Sequence, residues 1–199
     1  YLAGKNQTHF NASTPLTLAE TASVFGEMLT FKLILKQSTS KQERKALLAN
    51  KVEDMLNTVI RQIAFFQFEK EIHTMRSSSE LSIDKICSIW MDVQKSSLGP
   101  SIKYEEEYKY YWSYIPHFIH SPFYVYAYAF GDCLVNSLFN TYEQGLMNFD
   151  DKYINLLKSG GSKKYDELFR PFNLNLSKKS FWKKGLNVIE GFIDELETL

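Results

Sequence analysis

Cysteine, net charge and long apolar runs are what this 199-residue chain has least of, and each shortage removes a class of explanation. Its two cysteines, Cys87 and Cys133, have no CxxC or other ligand spacing, which argues against a secreted disulfide framework and a cysteine metal cluster. Buried thiols in a reducing compartment are expected instead, and with no signal segment visible the expectation is a cytoplasmic protein. Lys plus Arg (23) balance Asp plus Glu (23), so no global field recruits nucleic acid or an anionic membrane. The longest apolar block, Phe123 to Phe130, carries three tyrosines and falls far short of the ~20 residues that span a bilayer. Glycine-rich phosphate loops, a GxSxG elbow and an HExxH helix are also missing. No useful alternating period-two run appears, which excludes a strand-built fold.

Aromatic residues are what the chain has in excess: 15 Phe, 12 Tyr and 3 Trp, or 15% of the total. A single unit of this length buries roughly 70% of its unfolded surface. Residues 1–15 are polar, without a helical stripe, and are expected to be extended or loop. Thr14 before Pro15 reads as a capping hydroxyl ahead of a proline at the first helical position, predicting a helix to about Lys36. Ser40 is a second cap, for a helix to about Met75 with an inward stripe of Leu48, Val52, Met55, Leu56, Val59, Ile63 and Phe66. A third helix runs from about Ile83 to Leu98 and stops at Gly99-Pro100. Tyr104 to Trp112 reads as a short helix and Ile115 to Pro122 as a loop holding His117 and His120. Helices from Phe123 to about Leu146, Asp150 to Lys158 and Lys178 to Leu199 follow, the last with Phe181, Trp182, Leu186, Ile189, Ile193 and Leu196 on one side. The expected fold is all-α, residues 16–199 being helical.

Two regions can carry chemistry. Glu20 and Glu27 lie seven positions apart, about two helical turns, so they share a face with Ala19, Ala22, Ser23 and Gly26. Such a face admits close approach of another element that would complete a metal site, and it equally describes a solvated acidic surface. A di-iron bundle fails, because it needs Glu-x-x-His pairs and Lys70 stands three before His73. In the second region, a helix opened by Pro122 would place Tyr124 and Tyr128 at i and i+4 beside the loop histidine His117. Those groups could donate to one substrate oxygen, as an oxyanion requires. Read blandly, they are aromatic packing.

Taken together, five segments resemble the oligoendopeptidase F branch of the thimet-type zinc metallopeptidases. They are Leu18-Ala19-Glu20-Thr21-Ala22-Ser23 with Glu27; Arg61 to Glu69; Ile115-Pro116-His117 with Pro122-Phe123-Tyr124 and Tyr128; Leu156 to Ser162 with Gly160-Gly161; and Phe181-Trp182 with Gly185, Ile189 and Ile193 to Leu196. The resemblance covers nearly the whole chain and implies the C-terminal helical lobe of a zincin-like oligopeptidase. It implies that Glu20 is the third zinc ligand, that Glu27 orients a ligand histidine, and that His117, Tyr124 and Tyr128 contact substrate and stabilise the tetrahedral intermediate. Arg61 and Glu69 are then structural, and Gly160-Gly161-Ser162 is a hallmark turn without an assigned role. The family's HExxH, with the other two zinc ligands and the general base, would fall immediately before Tyr1. The chain, which opens on Tyr1 rather than Met, is therefore expected to be a piece of a longer enzyme that cleaves oligopeptides, inert by itself and partnered by its missing N-terminal part. A different class also fits: a non-catalytic helical module that binds peptides or a partner through the surface around Phe123, Tyr124 and Tyr128.

Overall fold

The computed structural model describes residues 1–5 and 7–199, the side chain of Leu16 excepted. The regular structure of those residues is helical throughout, with no strand, and the fold is all-α. In chain order the helices are α1 (Leu2–Lys5), α2 (Leu16–Ala19), α3 (Thr21–Gln37), α4 (Lys41–Leu56), α5 (Gln62–Arg76), α6 (Ile83–Leu98), α7 (His117–His120), α8 (Tyr126–Glu143), α9 (Phe149–Lys158), α10 (Tyr165–Phe169) and α11 (Lys179–Glu197). Tighter 3₁₀ turns occur at His9–Asn11, Glu106–Tyr114 and Arg170–Phe172. Residues 1–15 are thus less extended than their composition suggests: α1 closes one turn through the Lys5 N–H to the Tyr1 carbonyl (3.0 Å). Asn6, within that stretch, lies outside the described residues. No helix among the described residues is long and apolar enough to cross a membrane.

The chain divides into two compact units, Tyr1–Glu53 with Phe130–Leu199, and Asp54–Ala129. In the first, the segment Gly131 to Phe139 of α8 is buried at every position, as expected for a helix that other elements surround. Some of its polar groups find partners: Asn136 Nδ2 donates to Asp132 Oδ2 (2.8 Å) and Ser137 to the Phe181 carbonyl (3.0 Å), while Asn136 Oδ1 is buried without one. Phe25 of α3 packs on Phe139, Phe149 and Tyr153 with ring centroids 4.6–5.8 Å apart. Each fully buried side chain of this size contributes roughly 1.5–3 kcal/mol. Helix α11 buries Phe181 and Ile189 as expected, together with Gly185 and Phe192 in place of Leu186 and Ile193, and Leu186 is exposed. Gly185 sets that phase: a Cβ there would sit 2.5 Å from the Cys133 carbonyl oxygen.

The second unit is built on α5, α6 and the 3₁₀ segment, around Ala64, Phe65, Phe68, Ile89, Trp90, Val93 and Val125. The boundaries of α6 match the expectation because its signals are local. Ser82 Oγ accepts the Lys85 N–H, and Gly99, at φ +72°, donates to the Lys95 carbonyl. The long helix expected to end near Met75 differs from the forecast at one place. A wide π turn at Asn57–Arg61 separates α4 from α5 and adds a residue to the helical period. Leu48, Val52, Met55 and Val59 are buried as expected, but beyond the turn the inward face passes to Ala64, Phe65 and Phe68. Ile63 and Leu56 are left exposed and Phe66 half-buried.

Candidate functional site

Glu20 sits at a break, not within the continuous helix expected to run from Pro15. Pro15 has the extended angles φ −53°, ψ 144° and lies outside α2; its carbonyl accepts the Leu18 N–H (2.8 Å), so no Thr14 side-chain cap forms. Glu20 itself takes φ −88°, ψ 1°, the sparsely populated bridge conformation in which many active-site residues are held. Its side chain is exposed, and Ser23 donates to Oε2 (2.8 Å). Ala19, Ala22, Ser23, Gly26 and Glu27 are exposed too, so this face of α3 is open and poor in side-chain bulk. Just inside, Thr21 is buried and the Tyr153 hydroxyl donates to its carbonyl (3.0 Å). Glu27 is bound through Oε1 to Lys51 (2.5 Å), whose side chain is only 8% exposed. Lys51 in turn faces Asp132, where burial, against the pull of Lys51 and the Asn136 hydrogen bond, pushes the carboxyl up to about 6.

The Gly160-Gly161 turn acquires a structural role. The Gly161 N–H donates to the Asn11 carbonyl (2.9 Å), and a Cβ on Gly161 would lie 2.8 Å from the Ser13 carbonyl oxygen. Two glycines therefore let the segment leading into Glu20 run backbone to backbone against the end of α9. Beside it is an open cavity of about 320 Å³ lined by Leu18, Ala19, Ala22, Leu156 and Gly160 among others.

The second unit gathers the other three expected residues. Pro122 does not start a helix, because Phe123 adopts φ +60° and α8 begins only at Tyr126. Tyr124 consequently precedes the helix, donating its N–H to the Ser121 carbonyl (3.2 Å) and accepting the Ala127 N–H (3.0 Å). The turn still brings the side chains together. Tyr124 and Tyr128 rings are 5.3 Å apart, His117 lies 5.6 Å from Tyr124 and 5.8 Å from Tyr128, and each such aromatic contact is worth about 0.5–1.5 kcal/mol. Tyr128 Oη is 3.2 Å from His117 Nε2, a hydrogen bond in which the hydroxyl donates when that nitrogen is bare. His117 is half-buried at the start of the single turn α7, while His120 at its other end is exposed.

Glu69, read from the sequence as merely structural, adjoins this cluster. It is 2% exposed on α5, Oε1 accepts the Phe123 N–H (2.7 Å), and Oε2 has no hydrogen-bond partner. Burial raises its carboxyl above the usual range, opposed by the Phe123 N–H and by the charges of His73 and His117. A signal for it existed: a glutamate embedded in Phe65, Phe66 and Phe68 occupies an inward helical phase. Nothing in the sequence marks Lys51 or Tyr153.

Among the described residues no three His, Cys, Asp or Glu side chains converge as a metal site. Glu20 offers one carboxylate oxygen donor of the kind zinc accepts, which does not amount to a site within this chain. The model of peptidase family M3 matches residues 1–188, and the chain belongs to that family. An oligoendopeptidase F homolog of Borreliella burgdorferi is 31% identical over 202 residues, covering 100% of this chain and 34% of that protein. A crystal structure from Chlamydophila abortus, assigned as a peptidase, superposes with a TM-score of 0.88 at 31% identity, over 100% of this chain and 33% of that one. Oligoendopeptidase-F from Enterococcus faecium shares the fold, with a TM-score of 0.83 at 24% identity over 92% of this chain and 35% of its own. The chain spans about a third of the length of the relatives it matches.

Proposed function

We propose that these residues are the C-terminal part of a zinc metalloendopeptidase that hydrolyses internal bonds of oligopeptides in the cytoplasm. The observation that carries the reading is the His117, Tyr124 and Tyr128 cluster, three polar aromatic groups in mutual contact within a chain of peptidase family M3. Around a substrate carbonyl, the Tyr128 hydroxyl or the His117 imidazole turns from the other to donate to the oxygen as negative charge develops on it. Each such donor is worth roughly 3 kcal/mol of transition-state stabilisation. Tyr124, stacked on His117, holds the imidazole plane. Glu20 supplies a carboxylate donor for zinc, whose remaining ligands and general base lie outside these 199 residues; when bound, the ion contributes Lewis acidity and an acidified water. Glu27 is assigned to orienting a neighbouring ligand, anchored by Lys51. Cys87 and Cys133, both buried free thiols, suit a reducing compartment.

The test is cleavage of an internally quenched peptide by the complete protein carrying this chain, beside the 199 residues alone. Cleavage by the complete protein, its loss in Glu20→Ala, and no activity in the 199-residue chain are the expected results. Full activity in Glu20→Ala, or stoichiometric tight zinc in the 199 residues alone, refutes the proposal.

A further inference from the structure

Among the described residues of Asp54–Ala129, Glu69 is the only buried charged side chain, and its sole hydrogen-bonded group is the backbone of the residue before Tyr124. Phe123 needs such a hold. A bulky aromatic at φ +60° occupies a conformation that intrinsic preference rejects, so the surroundings must impose it. Helix α5 grips it at three points spaced along one face. The Phe66 ring lies 6.3 Å and the His73 ring 4.9 Å from the Phe123 ring, and Glu69 accepts its N–H between them. A carboxylate accepts more strongly than a neutral amide oxygen.

We propose that Glu69 is a positioning residue for peptide cleavage: by clamping the Phe123 N–H it fixes the left-handed turn that sets Tyr124 and Tyr128 against His117. The turn does work that a regular helix would not. With Phe123 outside the right-handed region, Tyr124 is released from α8 and folds back so that its ring stacks on His117 at 30° between planes while Tyr128 meets the same ring edge-on at 89°. Removing the acceptor frees the turn to relax toward ordinary backbone angles, and the three side chains lose their common focus. The inference rests on the reading that those three groups serve a substrate carbonyl.

Glu69→Ala, Glu69→Gln and a chain with phenyllactic acid in place of Phe123, which swaps the N–H for an ester oxygen, test it in two measurements. In the complete protein, labelled selectively, NMR reads amide exchange at Phe123 and cross-relaxation between the His117 and Tyr124 rings. In the complete protein, steady-state cleavage of a quenched peptide separates kcat from KM. Glu69→Ala is expected to speed Phe123 exchange about tenfold or more, weaken the ring contacts, and lower kcat about 100-fold with KM little changed. The ester chain is expected to lose kcat and ring contacts alike, and Glu69→Gln, which keeps an acceptor, to recover most of both. Unchanged ring contacts in Glu69→Ala overturn the clamp. So does an ester chain with wild-type kcat, since a general packing role would not pass through that one hydrogen. Displaced rings with kcat retained overturn the positioning role. If the wild-type complete protein cleaves no peptide, the peptidase reading and the purpose assigned to Glu69 fail together, while the NMR measurement still decides the clamp on its own.

Discussion

Glu20 stands exposed at a helix break with only the Ser23 hydroxyl on its carboxylate, whereas His117, Tyr124 and Tyr128 hold one another through three ring contacts and a hydrogen bond. Glu69 sharpens the contrast, being buried, bonded through one oxygen to the Phe123 N–H, and held by burial above the usual carboxylate range. A group that contacts an oxyanion, as proposed for this cluster, has to be preorganised, and its supports come from within one unit, α5, α7 and the start of α8. A carboxylate that shared a metal, as proposed for Glu20, would need only a rigid seat and an open face, since the ion and its other ligands would complete the geometry. The α2–α3 break, the Tyr153 hydroxyl and the Gly160-Gly161 turn would be that seat.

The largest effects test whether the open carboxylates act as assigned. In the complete protein, Glu20→Ala should lower peptide cleavage by at least ~1,000-fold, the scale of losing a group that stabilises developing charge. Glu27→Ala should cost about 10–100-fold, as for residues that orient a metal ligand. A reversal of that order in kcat/KM would break the distinction drawn between them. Next comes the buried carboxyl of the same unit, Asp132, facing Lys51, Glu27 and Asn136. Well below the ordinary value of 3.8 it is protonated in folded and unfolded chains alike. As pH rises from about 4 to about 6 the unfolded chain loses its proton first, so this group lowers stability by up to about 3 kcal/mol, a loss that then persists at higher pH. Urea titrations at pH 4 and pH 6.5 should show that slope shrink in Asp132→Asn. Smallest is Gly161→Ala, which crowds the Ser13 carbonyl and should cost about 1–3 kcal/mol. A thermal melt reads it at roughly 2–4 °C per kcal/mol for a chain of this size, and an unchanged midpoint would show that the segment before Glu20 is not held by that turn.

Legibility followed the range of the signals. Helix α6 and its cap at Ser82 were readable because cap, stripe and glycine stop lie within the same few residues. The second half of the long helix was misphased because a single π turn at Asn57–Arg61 leaves no mark in a stripe of apolar residues. Tyr124 and Tyr128 were paired correctly for the wrong reason: the expected i, i+4 helix is absent, and Phe123 at positive φ brings the rings together instead. That conformation is unreadable locally because the group that accepts the Phe123 N–H, Glu69, is 54 residues away. The Lys51–Glu27 pair, 24 residues apart, was hidden likewise.

The most direct measurement is kcat and KM of the complete protein and its Tyr128→Phe variant on one quenched peptide. If the Tyr128 hydroxyl donates to the oxygen that becomes negative, kcat falls about 100-fold and KM hardly moves. An unchanged kcat, or a loss confined to KM, would show that the cluster only binds or only packs, and the account of its chemistry would be wrong.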